Sequence, residues 1–261
     1  MAALNLAGMH VAILVTRDFE QIELTEPQRG LEEAGASTAI ISPEHGEVQG
    51  MKHDQRADKF KVDLPLDKAE PQDFDAVLLP GGVINADSLR MEKKAQEFVQ
   101  EMDRAGRPIA VICHGPWLLV SAGLVRGRKM TSYYTIQDDL RNAGAEWEDS
   151  EVVRDRNWVS SRQPDDIPAF NREMIALFAE YGRRKQQVAS RIFRHGFIRI
   201  QTDLKARSKK YDLRIQKINR KSYFVNPESP MAQWSDDPMT QSSCVPPRLR
   251  ASAVNSTSPD C

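Results

Sequence analysis

A short apolar run near the middle of the chain ends in a cysteine and a histidine. Residues 109–112 are typical of a buried strand, the tetrapeptide Cys113-His-Gly-Pro116 follows directly, and a helical pattern begins at Trp117. A strand that stops at a cysteine and turns into a helix places the sulfur on a tight turn, as in a nucleophile elbow. A helix N-terminus and a neighbouring base lower the pKa of a thiol, so the pattern predicts a reactive Cys113.

Each of the two residues also has a purely structural interpretation. A free cysteine at a strand end is commonly a small buried residue, and a histidine at a turn is often a surface residue. We favour the reactive interpretation because a Gly-Pro pair and a helix start follow Cys113 immediately. His114 would then act as general base and later as general acid.

The segment Pro80-Gly-Gly82 closes another apolar run, residues 76–79. Its simple interpretation is a strand exit. Alternatively, the N–H groups of Gly82 and His114 form a two-donor oxyanion hole.

Acidic candidates for the same site are less well determined. Asp87 either starts a helix at Ser88 or orients His114, and the spacing does not decide between these roles. Three glutamates follow the first predicted strand, and their chemistry does not choose among them: Glu20, Glu23 and Glu26.

The elements that must position these residues alternate between strands and helices. Strands are predicted at residues 10–16, 37–41, 76–79, 109–112, 151–154 and 158–160, and helices at 21–34, 88–105, from 117, 136–143 and 167–181. This order implies a mostly parallel sheet covered on both faces, in which ligands bind beyond the carboxyl ends of the strands. Both glycine-containing turns fall at such ends.

Charge is divided unevenly along the 261 residues. Residues 1–182 hold 20 Lys and Arg against 31 Asp and Glu, whereas residues 183–223 hold 14 against 2. Residues 226–261 are rich in Ser and Pro, a composition that cannot bury a core. We therefore predict a domain over 8–182 and a disordered tail over 183–261.

Cysteine usage and hydropathy indicate the environment of the protein. Cys113, Cys244 and Cys261 are the only cysteines, which is no disulfide framework. The sequence shows neither a secretory leader nor an apolar run of about 18 residues, the length that a membrane span needs. We expect a soluble, cytoplasmic protein without membrane contacts.

Taken together, the motifs resemble the ThiJ/PfpI family, and within it the PfpI-like intracellular proteases. The resemblance covers nearly all of residues 8–182. It is carried by residues 20–27, 74–82, 109–116, 124–133, 138–139, 142–144 and 157–162.

The resemblance implies a flavodoxin-like three-layer α/β sandwich with a nucleophile elbow. It assigns Cys113 as nucleophile, His114 as its imidazole partner, and the Gly82 and His114 backbones as the oxyanion hole. It also selects Glu23 as the acid that hydrogen-bonds the thiol. Tyr133 and Trp117 are expected to line the pocket.

In the archaeal-type proteases a glutamate from a neighbouring subunit completes the triad. Here the loop 82–87 is one residue longer and offers Asp87, which is similar to the bacterial stress-protein branch. If this acid acts across an interface, activity requires dimers or hexamers built from them.

The function implied is that of a cysteine-dependent hydrolase in stress protection, acting on peptides or on glyoxal-glycated proteins, with no metal and no cofactor. The alternative is a non-enzymatic redox sensor or chaperone-like protein, based on an accessible, low-pKa Cys113. A third possibility, nucleic-acid binding through 183–223, is disfavoured against a disordered extension. A glutamine amidotransferase triad is absent, since His195 is the only later histidine and Gly-Phe follows it.

Overall fold

A computed structural model describes residues 5–190 of the chain. Its strands are β1 (His10–Leu14), β2 (Phe19–Glu20), β3 (Ser37–Ser42), β4 (Glu47–Lys52), β5 (Gln55–Lys61), β6 (Leu64–Pro65), β7 (Ala76–Leu79), β8 (Ile109–Ile112), β9 (Lys129–Met130), β10 (Glu146–Trp147), β11 (Val152–Asp155) and β12 (Trp158–Ser161). Its α-helices are α1 (Gln21–Glu33), α2 (Val83–Met91), α3 (Lys93–Arg104), α4 (Pro116–Ser121), α5 (Gln137–Asn142) and α6, which is described over 167–190.

Seven strands form the central sheet, in the order β11-β12-β8-β7-β1-β3-β6. All neighbouring pairs are parallel except β11 with β12, which are antiparallel. The predicted mixed α/β fold with a mostly parallel sheet is therefore confirmed. β7 and β8 are neighbours, so the turns that follow them meet at one edge of the sheet.

Alternate residues of the central strands pack into two separate cores. Val11 and Ile13 of β1 face a core shared with Leu24 of α1 and Phe170 of α6. Ala12 and Leu14 of the same strand face the opposite core, which is built with α3, α4 and α5. Because both faces are covered, the strands are continuously apolar, and this is why short unbroken apolar runs marked them in the sequence.

The helix predicted over 88–105 is wrong in its boundaries. The structure has two helices, with Glu92 between α2 and α3 in an extended conformation (ψ 107°). Because α2 starts directly after Gly82, Asp87 lies inside this helix and does not cap one at Ser88. The helix predicted over 167–181 continues across Gly182 to residue 190, and the rest of the predicted tail lies outside the described residues.

A three-stranded sheet, β2-β4-β5, was not predicted. Its hairpin, β4 with β5, turns at His53 and Asp54, where His53 has a φ of 57°. In the part of the chain described, no helix is long and apolar enough to cross a membrane.

Arg128 joins three elements at the edge of the sheet opposite the glycine turns. Its guanidinium lies 4.1 Å from the centre of the Trp158 ring and contacts the Asp103 carboxylate, which also accepts hydrogen bonds from Asn157 and Trp158. We expect Arg128→Met to lower the free energy of unfolding by about 2–3 kcal/mol. The expected loss is smaller than the usual cost of breaking a buried ion pair, because the Asp103 carboxylate still accepts hydrogen bonds from Asn157 and Trp158 and remains partly exposed to solvent.

Chemical denaturation of the two proteins measures this change. Arg17→Met is the control, since Arg17 is 63% exposed and pairs with Asp18 only at 3.9 Å. An equal loss of unfolding free energy in both variants would show that the buried network around Arg128 contributes no more than an exposed ion pair.

Candidate active site

The turn after β8 has the geometry of a nucleophile elbow. Cys113 has a φ of 61°, a left-handed conformation that is unfavourable for a residue with a side chain. Its backbone is held on both sides: its N–H donates to the Ser161 carbonyl at 3.1 Å, and its carbonyl accepts from the Tyr133 N–H at 2.9 Å. Only glycine fits at position 115, because a Cβ there would lie 2.7 Å from the Leu79 carbonyl oxygen.

Cys113 and His114 are in contact despite being adjacent in sequence. The sulfur lies 3.1 Å from Nδ1 of His114, and Nε2 of the same ring lies 3.3 Å from the Thr135 hydroxyl. The ring packs against Tyr133 and Trp117, with centroid distances of 4.9 and 5.3 Å. Burial lowers the pKa of His114 to about 4, so the imidazole is neutral at neutral pH and can accept a proton.

Glu23 lies in the first turn of α1 and is fully buried. One carboxyl oxygen, Oε2, accepts a 2.8 Å hydrogen bond from the Gly81 N–H, and Oε1 has no hydrogen-bond partner within the described residues. Burial raises the pKa of Glu23 to about 8, although the Gly81 N–H and the Cys113 thiol oppose that shift. Glu23 is therefore mostly protonated at neutral pH.

The turn Pro80–Gly82 brings these groups together. A Cβ on Gly81 would lie 2.5 Å from Oε2 of Glu23 and 2.6 Å from the Cys113 Cβ, so the close approach requires glycine. Gly82 has a φ of 88° and is equally confined by the backbone of residues 18–20. The buried amide of Asn85 fixes the turn by donating to the carbonyls of Pro80 and Gly81 at 3.1 and 2.9 Å.

The pKa of the Cys113 thiol is raised, contrary to the prediction of an acidic and accessible thiol. Burial is the main cause, since Cys113 is only 7% exposed, and the negative charge that Glu23 acquires as it ionises near pH 8 adds to it. The Gly82 and His114 N–H groups act in the opposite direction. The prediction failed because it assumed a positive neighbour and an open turn, whereas His114 is neutral and α4 has only six residues.

A cavity of about 660 Å³ opens over the sulfur. It is lined by Asp18, Glu20, Glu23, Met51, His53, Asp54, Gly82, Val83, Ile84, Cys113, His114, Tyr133, Gln163, Pro164 and Asp165. Five of these residues carry carboxyl groups, and among the described residues no lysine or arginine lines it. Its lining belongs to the carboxyl ends of the central strands, the β4–β5 turn and the segment 163–165.

Two predicted site residues lie elsewhere. Trp117 packs behind the His114 ring and does not line the cavity, because its indole N–H donates to Asp139 at 2.7 Å. Asp87 is exposed on α2 and makes no hydrogen bond to His114 within the described chain. Its predicted role across an interface stays a prediction. No group of three or more potential metal ligands is found in residues 5–190.

The model of the DJ-1/PfpI family matches residues 9–177. The chain belongs to the DJ-1/PfpI family. It is 47% identical to a deglycase of Pyrococcus horikoshii over 65% of this chain and 99% of that protein. It is 42% identical to a protein/nucleic acid deglycase of Escherichia coli over 64% of this chain and 96% of that protein.

A solved structure supports the same assignment. A protein of Anabaena variabilis with DJ-1/ThiJ/PfpI-like and ferritin-like domains superposes with a TM-score of 0.60 at 31% identity. The match covers 64% of this chain and 47% of that two-domain protein, so the chain spans about half of its length. The recognition of the family from the sequence motifs is confirmed.

Several cavity residues of this DJ-1/PfpI chain were missed in the sequence. His53 and Asp54 sit at a hairpin turn without glycine; the available signal was that His and Asp tolerate the left-handed conformation better than most residues. Thr135, which contacts His114, and Asn85, which fixes the glycine turn, gave no signal, because their roles depend on long-range contacts.

Proposed function

We propose that the chain is a cysteine-dependent hydrolase of the PfpI type that removes glyoxal-derived adducts from proteins in stress protection. The observation that carries this proposal is the 3.1 Å contact between the Cys113 sulfur and a neutral His114, on the floor of a cavity. Relatives named as deglycases support the choice of substrate class.

The proposed reaction begins with transfer of the thiol proton from Cys113 to Nδ1 of His114. In a methylglyoxal hemiaminal the sulfur attacks the hydroxyl-bearing carbon, the C–N bond breaks, and the amine leaves with the proton that His114 took from the thiol. A proton then moves from this carbon to the neighbouring carbonyl carbon through an enediolate, whose negative oxygen the N–H groups of Gly82 and His114 would stabilise, and water hydrolyses the resulting lactoyl thioester. Protonated Glu23 can donate its unused hydrogen to the thiolate and so offset its burial. For a methylglyoxal hemiaminal, addition of one water gives the free amine and lactate, and no external oxidant is needed.

The charge of the cavity favours protein adducts over nucleic-acid adducts. Asp54, on the β4–β5 turn, and Asp165, in the segment 163–165, are both exposed and both line the cavity. Phosphate groups entering between them would be repelled, whereas lysine- and arginine-bearing chains would be attracted. The basic segment 183–223 is exposed over 183–190 and otherwise lies outside the described residues.

Self-association is part of the proposal. Three apolar side chains of α2 are unusually exposed: Val83 at 53%, Ile84 at 50% and Met91 at 76%. An apolar face of this kind suits a second copy of the chain, and Asp87 lies on the same helix. Docking of two copies through α2 would place Asp87 at the interface, in a dimer or in a hexamer built from dimers.

A redox-sensing or chaperone-like role gains no support, since Cys113 is buried and its thiol pKa is raised. We retain a cytoplasmic location as part of the proposal.

Product analysis tests the proposed reaction. Wild type and Cys113→Ser are incubated with a methylglyoxal-modified arginine peptide, the same peptide unmodified, and free methylglyoxal. We expect wild type to regenerate the arginine peptide and release lactate, with the peptide bond intact. Cleavage of the unmodified peptide would instead identify a peptidase, and turnover of free methylglyoxal alone would identify a glyoxalase.

A further inference from the structure

A second cavity of about 360 Å³ adjoins the catalytic one and is not used by the proposed reaction. It lies between the start of α1 and the β4–β5 hairpin. Five residues line both cavities: Glu20, Met51, His53, Pro164 and Asp165. A molecule that reaches Cys113 can therefore extend into the second cavity without leaving the protein surface.

Several polar groups in this second cavity are already hydrogen-bonded within the protein. Glu20 accepts a 3.0 Å hydrogen bond from the His53 N–H. Gln21 exchanges two 2.8 Å hydrogen bonds with Asp58, through its side-chain nitrogen and oxygen. Thr25 donates to the Gln21 carbonyl at 3.1 Å. The Gln21 amide, the Thr25 hydroxyl and one carboxyl oxygen of Glu20 are therefore already used within the protein.

What remains for a ligand is mainly aliphatic surface. Ile22 is 42% exposed although its neighbour Glu23 is fully buried, and Met51, Ala57 and Pro164 complete the apolar lining. Lys52 and Asp165 are exposed and carry opposite charges, and the remaining carboxylate, Glu20, accepts the hydrogen bond from the His53 N–H. An uncharged aliphatic group suits these walls.

We propose that the second cavity is a subsite for an aliphatic side chain next to the reacting residue of a polypeptide. This inference rests on the proposed function, because it assumes that the reacting residue occupies the cavity over Cys113. Such a subsite would distinguish a protein-bound substrate from a free small carbonyl compound, because the free compound has no neighbouring side chain that could occupy it.

The test uses pairs of methylglyoxal-modified peptides that differ only in leucine or glycine beside the modified arginine, on either side. For wild type we expect kcat/KM to be about five- to ten-fold higher for the leucine peptide, mainly through KM, since burying a leucine side chain only in part gives less than its full transfer energy. Ile22→Asn should reduce this ratio to near one. Ala57→Leu, which fills the cavity from the opposite wall, should do the same.

Val188→Asn is the matched control. Val188 is 59% exposed on α6 and lines neither cavity, so the ratio should stay at its wild-type value. An unchanged ratio in both cavity variants would overturn the subsite. So would a change in the molar mass of Ile22→Asn in solution, since that would make this surface an interface between copies.

Cys113→Ser separates the two proposals. If it still turns over modified peptide, the proposed function fails. If it is inactive but binds the leucine and glycine peptides equally in titration calorimetry, only the subsite fails.

Discussion

Cys113→Ser is expected to lower kcat/KM for the modified peptide by about 10³-fold or more. The hydroxyl replaces the sulfur at nearly the same position, but it is a far weaker nucleophile next to a neutral His114, whose pKa is lowered to about 4. Stability should change little, because the substitution keeps both the small volume and the strained φ of 61°. Steady-state kinetics and thermal unfolding of the same preparations measure both effects.

The chain supplies its own control for this substitution. Cys244→Ser removes a thiol outside the motif and should leave kcat/KM unchanged. More than a tenth of wild-type activity in Cys113→Ser would contradict the assignment of Cys113 as nucleophile.

Glu23→Gln is expected to abolish most of the pH dependence of stability between pH 6.5 and 8. Glu23 titrates at about 8 in the folded chain and near 4.5 when unfolded, so in this range the folded state holds a proton that the unfolded state has released. The contribution of Glu23 to stability is therefore fully present below pH 4.5 and is lost as the pH rises towards 8. The Glu23 contribution should fall by about 1.6 kcal/mol from pH 6.5 to 8 in wild type, and this fall should be absent in Glu23→Gln.

The pH range keeps the contribution of His114 small. Burial lowers the pKa of His114 from 6.5 to about 4, so its contribution has the opposite sign, and only about 0.4 kcal/mol of it develops above pH 6.5. Denaturant unfolding at several pH values measures the profile. Glu33→Gln, at an exposed position of the same helix, should keep the wild-type slope. A wild-type slope in Glu23→Gln would show that Glu23 is ionised in the folded protein.

Local sequence was sufficient where a residue's role depends on its immediate neighbours. The runs 76–79 and 109–112 are strands with those bounds, because strands covered on both faces must be continuously apolar. The turn after residue 112 was recognisable from Cys113-His-Gly-Pro116 alone. The choice of Glu23 among three glutamates came only from the family resemblance, and burial distinguishes it: Glu23 is fully buried, whereas Glu20 and Glu26 are not.

The tertiary structure determines the features of the site that depend on residues distant in the chain. The Glu23 carboxyl meets the Gly81 N–H across 58 positions, and that burial gives Glu23 and Cys113 pKa values which no local pattern indicates. The β4–β5 hairpin forms cavity walls although β5 is largely exposed and has no apolar periodicity. The sequence by itself therefore predicted the candidate nucleophile and located the sheet edge that holds it. The protonation states and the shape of the cavity arise only when distant segments exclude water from the same point.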